Sequence, residues 1–489
     1  MRPRSRAAVI AVAVFAAGVA LRVFFVVAYR PALLGIPDSG IYIAAAHRNL
    51  FSDQVHPAGY PLFLRAAHVL SAHLSATTAL QHLLGVAAAL VLFLVVRRVT
   101  GSVLAALVPA VVVLFGGLEL FVEHSPLSDA LFVLLTALVL LVAVVGLDRP
   151  LRWLVLLGLL LGCAVVVRTV ALWLLPLLFV WLLVCTPGDR VRRLARAVLP
   201  VACAAGIVGG YVAVQRAQTG VTGLTQADGR FVYAVAAQFA DCSKFTPPAG
   251  TRALCETSRP ASRGSMNQYL EGYPDFASSL PPGGRAAVSP AWRVFGPMPH
   301  GNSQLAAFGR AAILHQPLDY LHLVARNFSY YWTETTRVFL TDAAKPDPGT
   351  EQQVAAYYAT GAGVSEHGFS VLRSYADVAE VSGPVMVLLL LASLSALAVR
   401  DRWPRAVALL LGSAGWLLLL GAAAVHIDPR YTLPAVGPLA AAAAMGVRDL
   451  GPIVIRRLRI GSRWQPADPG SGSRARGYRT AARRADRAT

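Results

Sequence analysis

About ten stretches of this chain are apolar enough, and close enough to the roughly 20 residues of helix that span a hydrocarbon core, to cross a bilayer. They run from Ala7 to Tyr29, Ala76 to Val96, Val103 to Val122, Leu127 to Leu147, Leu151 to Val167, Ala171 to Cys185, Ala195 to Val214, Pro384 to Val399, Val407 to Val425 and Thr432 to Val447. The expected fold class is all-α: a polytopic membrane protein, a bundle of about ten transmembrane helices with a mixed extracytoplasmic segment. Composition agrees. Hydrophobic residues make up 56% of the 489, charged residues 14%, and the mean hydropathy is +0.57, far from a water-soluble domain. The first stretch follows Arg2, Arg4 and Arg6 as a signal peptide would. It is long, carries Arg22 and lacks a small-residue cleavage site, so it reads as an uncleaved first helix.

The formal charge of +19 raises the question of nucleic acid, and its distribution answers it. The basic residues gather in short runs between hydrophobic stretches, which is where membrane topology puts them, so no nucleic-acid partner is expected. With the N-terminus cytoplasmic, Arg97-Arg98, Arg149 with Arg152, the run Arg190 to Arg196, and Arg400, Arg402 and Arg405 all fall inside. The chain then divides into an N-terminal transmembrane module (1–216) whose first outer loop covers 30–75, an extracytoplasmic segment (217–383) with an amphipathic pattern from Leu305 to Trp332, a C-terminal transmembrane module (384–450), and a basic tail (451–489). The outer segment is nearly neutral, with 12 Lys and Arg against 13 Asp and Glu, so the positive surplus faces the anionic lipids of the inner leaflet. The tail has too little apolar sequence to bury a core and is expected to be disordered. Cys163, Cys185 and Cys203 lie in or beside apolar stretches as small hydrophobes, while Cys242 and Cys255 in the outer segment are placed to form a disulfide if it faces an oxidising compartment.

This topology collects Asp38, Asp53, His56, Glu123, His124, Asp129, Arg168, His426, Asp428 and Arg430 on the outer side, at helix ends or in short loops. Ionisable groups near the membrane are costly unless paired or hydrated, and their convergence suggests a polar cavity. Three motifs stand out. Pro37-Asp38-Ser39-Gly40-Ile41-Tyr42 reads either as a helix cap or as a carboxylate that takes a proton from a hydroxyl. His56-Pro57-Ala58-Gly59-Tyr60-Pro61 fixes a turn and offers His56 as a contact for a sugar hydroxyl or phosphate. His426-Ile427-Asp428-Pro429-Arg430 presents a guanidinium fork suited to phosphate, with Asp428 as its structural partner.

PDSGIY and HPAGYPLFLR after the first helix, SPLSDALF entering the fourth and HIDPRYTLP late in the chain together resemble the GT-C glycosyltransferases, nearest the branch of protein O-mannosyltransferases and lipid A aminoarabinose transferases. The resemblance runs from about residue 7 to 450 and implies a GT-C-type bundle. It implies an enzyme that moves a sugar, with inversion, from a polyprenyl-phosphate carrier to a cell-envelope glycan, glycolipid or protein outside the cytoplasmic membrane. By the same resemblance Asp38 is the catalytic base and Asp129 the second acidic residue, with Glu123 competing. Arg430, His426 and Arg168 are expected at the donor phosphate, and His56, Tyr42, Glu123 and His124 as acceptor or donor contacts. A divalent metal between Asp38 and Asp129 is left open. Relatives often carry a pair of acidic residues in the first loop, whereas Asp38 is followed by Ser39, which weakens that case because hard cations need several oxygen ligands. The competing classes are a lipid or polysaccharide transporter or flippase, which would show internal repeats and charges near the midplane, and a non-catalytic envelope scaffold.

Overall fold

The computed structural model describes residues 3–258, 260, 263–272, 288–333, 347–359, 366–379 and 381–461. Among the described residues every regular element is a helix. The N-terminal part holds α1 (Pro3–Ala28), α2 (Pro37–His47), α3 (Gly59–Leu70), α4 (Leu74–Thr100), α5 (Val103–Phe115), α6 (Gly117–Glu123), α7 (Asp129–Gly146), α8 (Arg152–Val167), α9 (Leu174–Cys185) and α10 (Arg190–Thr219). The outer segment holds α11 (Asp228–Ala237), α12 (Met266–Glu271), α13 (Pro290–Phe295), α14 (Asn302–His315), α15 (Pro317–Thr333), α16 (Pro348–Tyr357) and α17 (Glu366–Ala379). The chain returns through α18 (Gly383–Ser393), α19 (Arg402–Ala423) and α20 (Leu433–Gly461).

All ten apolar stretches are helical, but they are not ten straight spans. Among the described residues, five helices are long and apolar enough to cross a membrane, and the number reaches seven if each of two bent pairs counts as one. One pair is α5 with α6, bent by 55° at Gly116, whose extended backbone interrupts the helix. The other joins residues 373–379 to 383–398 at 41°. The remaining stretches form α8, α9 and the first part of α20. Apolar side chains face outward along these helices, as Val12, Val19, Val23 and Val27 do on α1, which suits a lipid solvent and marks a multi-pass membrane protein.

Local chemistry sets the helix ends. Gly101 ends α4 in the left-handed conformation at φ 66°, and the next residue, Ser102, caps α5 by accepting from the Ala105 amide at 3.2 Å. Asp189 caps α10 at 2.7 Å through the Arg192 amide. Packing then joins α8 to α10, α4 to α5 and α7, and α19 to α20. The apolar interior between them is buried as two large clusters, one reaching from α4 through α20, the other from α1 through α7 and joined by Val354 of α16 and Leu433 of α20.

The outer segment has an apolar core of its own around Tyr233, Phe308 and Leu305. Cys242 and Cys255 are disulfide-bonded beside it. The amphipathic stretch from Leu305 to Trp332 is two helices, not one, because it breaks at Gln316-Pro317, where proline cannot continue the hydrogen-bond ladder. The second of them, α15, sits on the end of α19: Tyr320 donates to the Ala424 carbonyl at 3.0 Å and Asn327 to that of Ala423 at 2.9 Å. Most of the basic tail, residues 462–489, lies outside the described residues.

The orientation is open to a direct test. Arg310 is exposed on α14, so in a chain with Cys163, Cys185 and Cys203 replaced by alanine, Arg310→Cys should react with an impermeant thiol reagent on intact cells. Reaction only after lysis would invert the topology.

Candidate active site

A polar cavity of about 480 Å³ lies between the ends of the membrane helices and the segment from 217 to 383. Its wall includes Asp38, Tyr42, His56, Arg168, His426 and Arg430. With Asp428, seven of the residues singled out by sequence are therefore brought together, from four separate places in the chain.

Asp38 reaches the cavity from the first turn of α2. Helix α2 starts at Pro37, whose fixed φ suits the first helical position, and its N-cap residue Ile36 makes no side-chain cap. Asp38 and Ser39 both lie inside the first turn, so neither serves as the cap. Ser39 is fully buried, and among the described residues its hydroxyl has no partner. Gly40 is needed for a different reason: any side chain there would run into Thr350 of α16, which packs against α2. The Asp38 side chain keeps 22% of its surface accessible. It is free on one side and held on the other.

The holder is Arg430, which donates to Asp38 Oδ2 at 3.0 Å. The same guanidinium grips Asp428 at both oxygens, at 3.2 Å and 3.1 Å, while the Arg430 amide donates to Asp428 at 2.9 Å. This ladder is built by the short 3₁₀ turn Pro429–Thr432, which Asp428 caps. Asp129 stands 4.0 Å from Arg430 and forms an ion pair with Arg168, whose guanidinium also lies over the Tyr431 ring, 5.1 Å from its centre. On the other flank His56 Nε2 is 4.0 Å from Asp38, and its Nδ1 is 2.9 Å from Asp53. The Tyr42 ring packs on His56 with centres 4.8 Å apart, and its hydroxyl is 3.3 Å from that of Ser128.

These neighbours decide the protonation states. Burial alone would raise the Asp38 carboxyl, but Arg430, then His56, outweighs it and holds the group at about 2. Burial lowers His56, and Asp53 more than reverses that, so the imidazole rises above its ordinary range. Burial lowers His426 instead. The site therefore presents an ionised carboxylate beside two arginines and one imidazole that favours its charged form, next to one that favours the neutral form.

A divalent metal between Asp38 and Asp129 does not fit this arrangement. The Arg430 guanidinium occupies the space between the two carboxylates, so a cation there would meet a fixed positive charge and too few oxygens. Among the described residues no group of three or more His, Cys, Asp or Glu is placed to hold a metal ion.

Glu123 and His124 are placed elsewhere. Both are fully buried, outside the cavity wall. Arg22 of α1 donates to Glu123 at 2.8 Å and 2.7 Å, His82 Nδ1 lies 2.7 Å from Glu123, and His82 Nε2 is 2.9 Å from His124 Nδ1. Arg22 also donates to the Leu114 carbonyl at 2.7 Å, one of those left over where α5 breaks off. The lone arginine in the first apolar stretch was the sequence signal for this network, since a charge inside a span needs a partner. Glu271 and Asn267 of α12 and Asp228 at the start of α11 also line the cavity. They stand in polar sequence where an isolated acid or amide carries no signal.

A raised imidazole stabilises the fold in full below the ordinary value of 6.5, and that contribution is lost as pH climbs through the raised one. His56→Gln is accordingly expected to flatten the pH dependence of the unfolding temperature above the ordinary imidazole value of 6.5. A variant whose profile runs parallel to the parent would mean that His56 carries no such charge.

A sequence profile of the family described as dolichyl-phosphate-mannose-protein mannosyltransferase matches residues 55–209, which covers the second motif, Asp129 and Arg168. No curated protein matches the chain significantly. Among solved structures, ArnT from Cupriavidus metallidurans bound to undecaprenyl phosphate is 16% identical, with 92% of this chain and 81% of that one covered at a TM-score of 0.36. ArnT from the same organism in the apo state is 17% identical, covering 91% and 80% at a TM-score of 0.35. The chain thus resembles polyprenyl-phosphate-dependent glycosyltransferases of the GT-C class both in its motifs and, over residues 55–209, in its family profile.

Proposed function

We propose that this chain is an inverting glycosyltransferase that takes a sugar from a polyprenyl-phosphate carrier and passes it to an extracytoplasmic acceptor of the cell envelope. The observation that carries this reading is the contact between Asp38 and Arg430, 3.0 Å apart in a cavity at the ends of apolar helices. Transfer from a sugar phosphate needs a base for the incoming hydroxyl and positive donors for the departing phosphate. Asp38 is the base and Arg430 the principal donor, with Arg168 and His426 beside it. The profile match, whose description names a polyprenyl-phosphate sugar, supports the donor class.

As it stands, Asp38 is a poor base, because Arg430 holds its carboxyl at about 2. An arriving phosphate competes for the same guanidinium. Once Arg430 turns to the phosphate, Asp38 loses its strongest stabiliser and its affinity for a proton rises. The acceptor hydroxyl then gives its proton to Asp38 while its oxygen attacks the anomeric carbon from the face opposite the phosphate. The bond from carbon to phosphate oxygen breaks, and its electron pair stays on the phosphate, where Arg430 and Arg168 meet the added charge. One displacement inverts the anomeric centre. Donor binding thereby activates the base, so the acceptor is not deprotonated in an empty site.

In membranes given labelled polyprenyl-phosphate sugar, Asp38→Asn should lower transfer by about 10²-fold or more, the usual span for a general base. Transfer at the parent rate would remove Asp38 from that role. Arg430→Ala should act mainly on donor use, raising the donor KM. A change confined to the acceptor KM would contradict its phosphate role.

A further inference from the structure

The segment from His426 to Val436 has two faces. His426, Asp428, Arg430 and Pro434 turn to the polar cavity, while Ile427, Pro429, Thr432 and Val436 line a second, smaller one of about 70 Å³. Glu119 opens onto that second cavity from the first turn of α6, just past the 55° bend at Gly116. Its side chain is 3% exposed, and among the described residues Oε2 has no hydrogen-bond partner. Glu123, one turn further along the same helix, engages Arg22 and His82 at 2.7 Å each, so the nearest cation is already committed.

A buried carboxylate oxygen without a partner is costly, and native proteins seldom keep one unless something binds it. The rest of the wall says what that is. Apart from Glu119, its side chains are aliphatic or are Tyr330, Tyr331 and Thr432, and the Tyr331 and Thr432 hydroxyls already donate to backbone carbonyls. One carboxylate among apolar walls is too few oxygens for a hard metal ion. It suits an organic ammonium, whose N–H groups answer the carboxylate and whose charge is tolerated by aromatic faces. A cavity of about 70 Å³ has room for an alkylammonium group of a few heavy atoms.

We propose that Glu119 forms a second ligand site, for a primary ammonium group borne by a membrane lipid or by a free amine. Its occupant touches the opposite face of the turn that carries Asp428 and Arg430, so binding there braces that turn. The proposal does not depend on sugar transfer.

The test uses the full chain in detergent with n-butylammonium as probe and n-butanol as its uncharged counterpart. At saturation butylammonium should raise the unfolding temperature by about 2 °C or more, butanol should not, and the rise should vanish in Glu119→Gln. No rise, an equal rise with butanol, or a rise that survives in the variant overturns the site. Should Glu119→Gln not fold, the parent chain decides. Labelling of Glu119 by dicyclohexylcarbodiimide, followed by peptide mass spectrometry, should slow about five-fold with the amine at four times its dissociation constant. The proposal fails if butylammonium does not slow it, or if butanol slows it as much. The source is separated by reconstitution into phosphatidylethanolamine or phosphatidylcholine, whose quaternary ammonium has no N–H. Slower labelling in the first alone assigns a lipid headgroup, and equal labelling with protection by added butylammonium assigns a free amine.

Discussion

The Arg430 guanidinium is the point on which the cavity turns. It bonds to Asp38, 392 residues away in sequence, while Asp428 fixes its plane from two residues away. The short-range bond is what makes the long-range one specific. An arginine side chain has many rotamers, and holding it for a single contact at the protein surface gains little. Here Asp428 takes both nitrogens on one edge and the backbone amide, so the remaining edge is already aimed when α2 delivers Asp38. Helix α2 and the turn Pro429–Thr432 are thereby joined by charge, and Arg168 with Asp129 extends the alternation of signs along the cavity wall.

A second alternation lies deeper, where Arg22, Glu123, His82 and His124 run through the apolar interior. Burying an arginine and a glutamate this completely costs several kcal/mol per ion, and their attraction offsets it only because every strong donor on Arg22 has an acceptor. Some of those acceptors are the carbonyls of Val113 and Leu114, 3.3 Å and 2.7 Å away, exposed by the bend at Gly116. The bend and the charge therefore explain one another. A straight α5–α6 helix would leave Arg22 short of acceptors, and an apolar residue at position 22 would leave the broken helix end unsatisfied.

Much of this was legible in the sequence, for unequal reasons. The helices were, because their apolar stretches leave the backbone no other way to meet its own hydrogen bonds in lipid. Asp38, His56, Arg168 and Arg430 were, because Pro and Gly mark the turns that carry three of them and the topology puts all four on one side. The placement of Glu123 and His124 was not: a charged residue at the end of an apolar stretch looks the same whether it points to water or folds back onto Arg22. The task of Gly40 was not either, since its neighbour Thr350 arrives from more than 300 residues away. Glu271 needed the outer segment to be folded before it could be seen as part of the cavity wall.

The seating of α15 on α19 bears on how the molecule comes into being. Tyr320 and Asn327 donate to the carbonyls of Ala424 and Ala423 at the end of α19, which no helical amide can serve once the helix stops, and Tyr331 donates to that of Leu419 one turn earlier. Yet the ribosome makes α15 well before α19. The outer segment must therefore wait, with three donors unspent and its apolar face uncovered, until the later span has entered the bilayer and its end has surfaced beside it. Assembly is ordered from the C-terminal side: the last helices to be made complete the docking of a segment finished earlier, and with it the cavity wall.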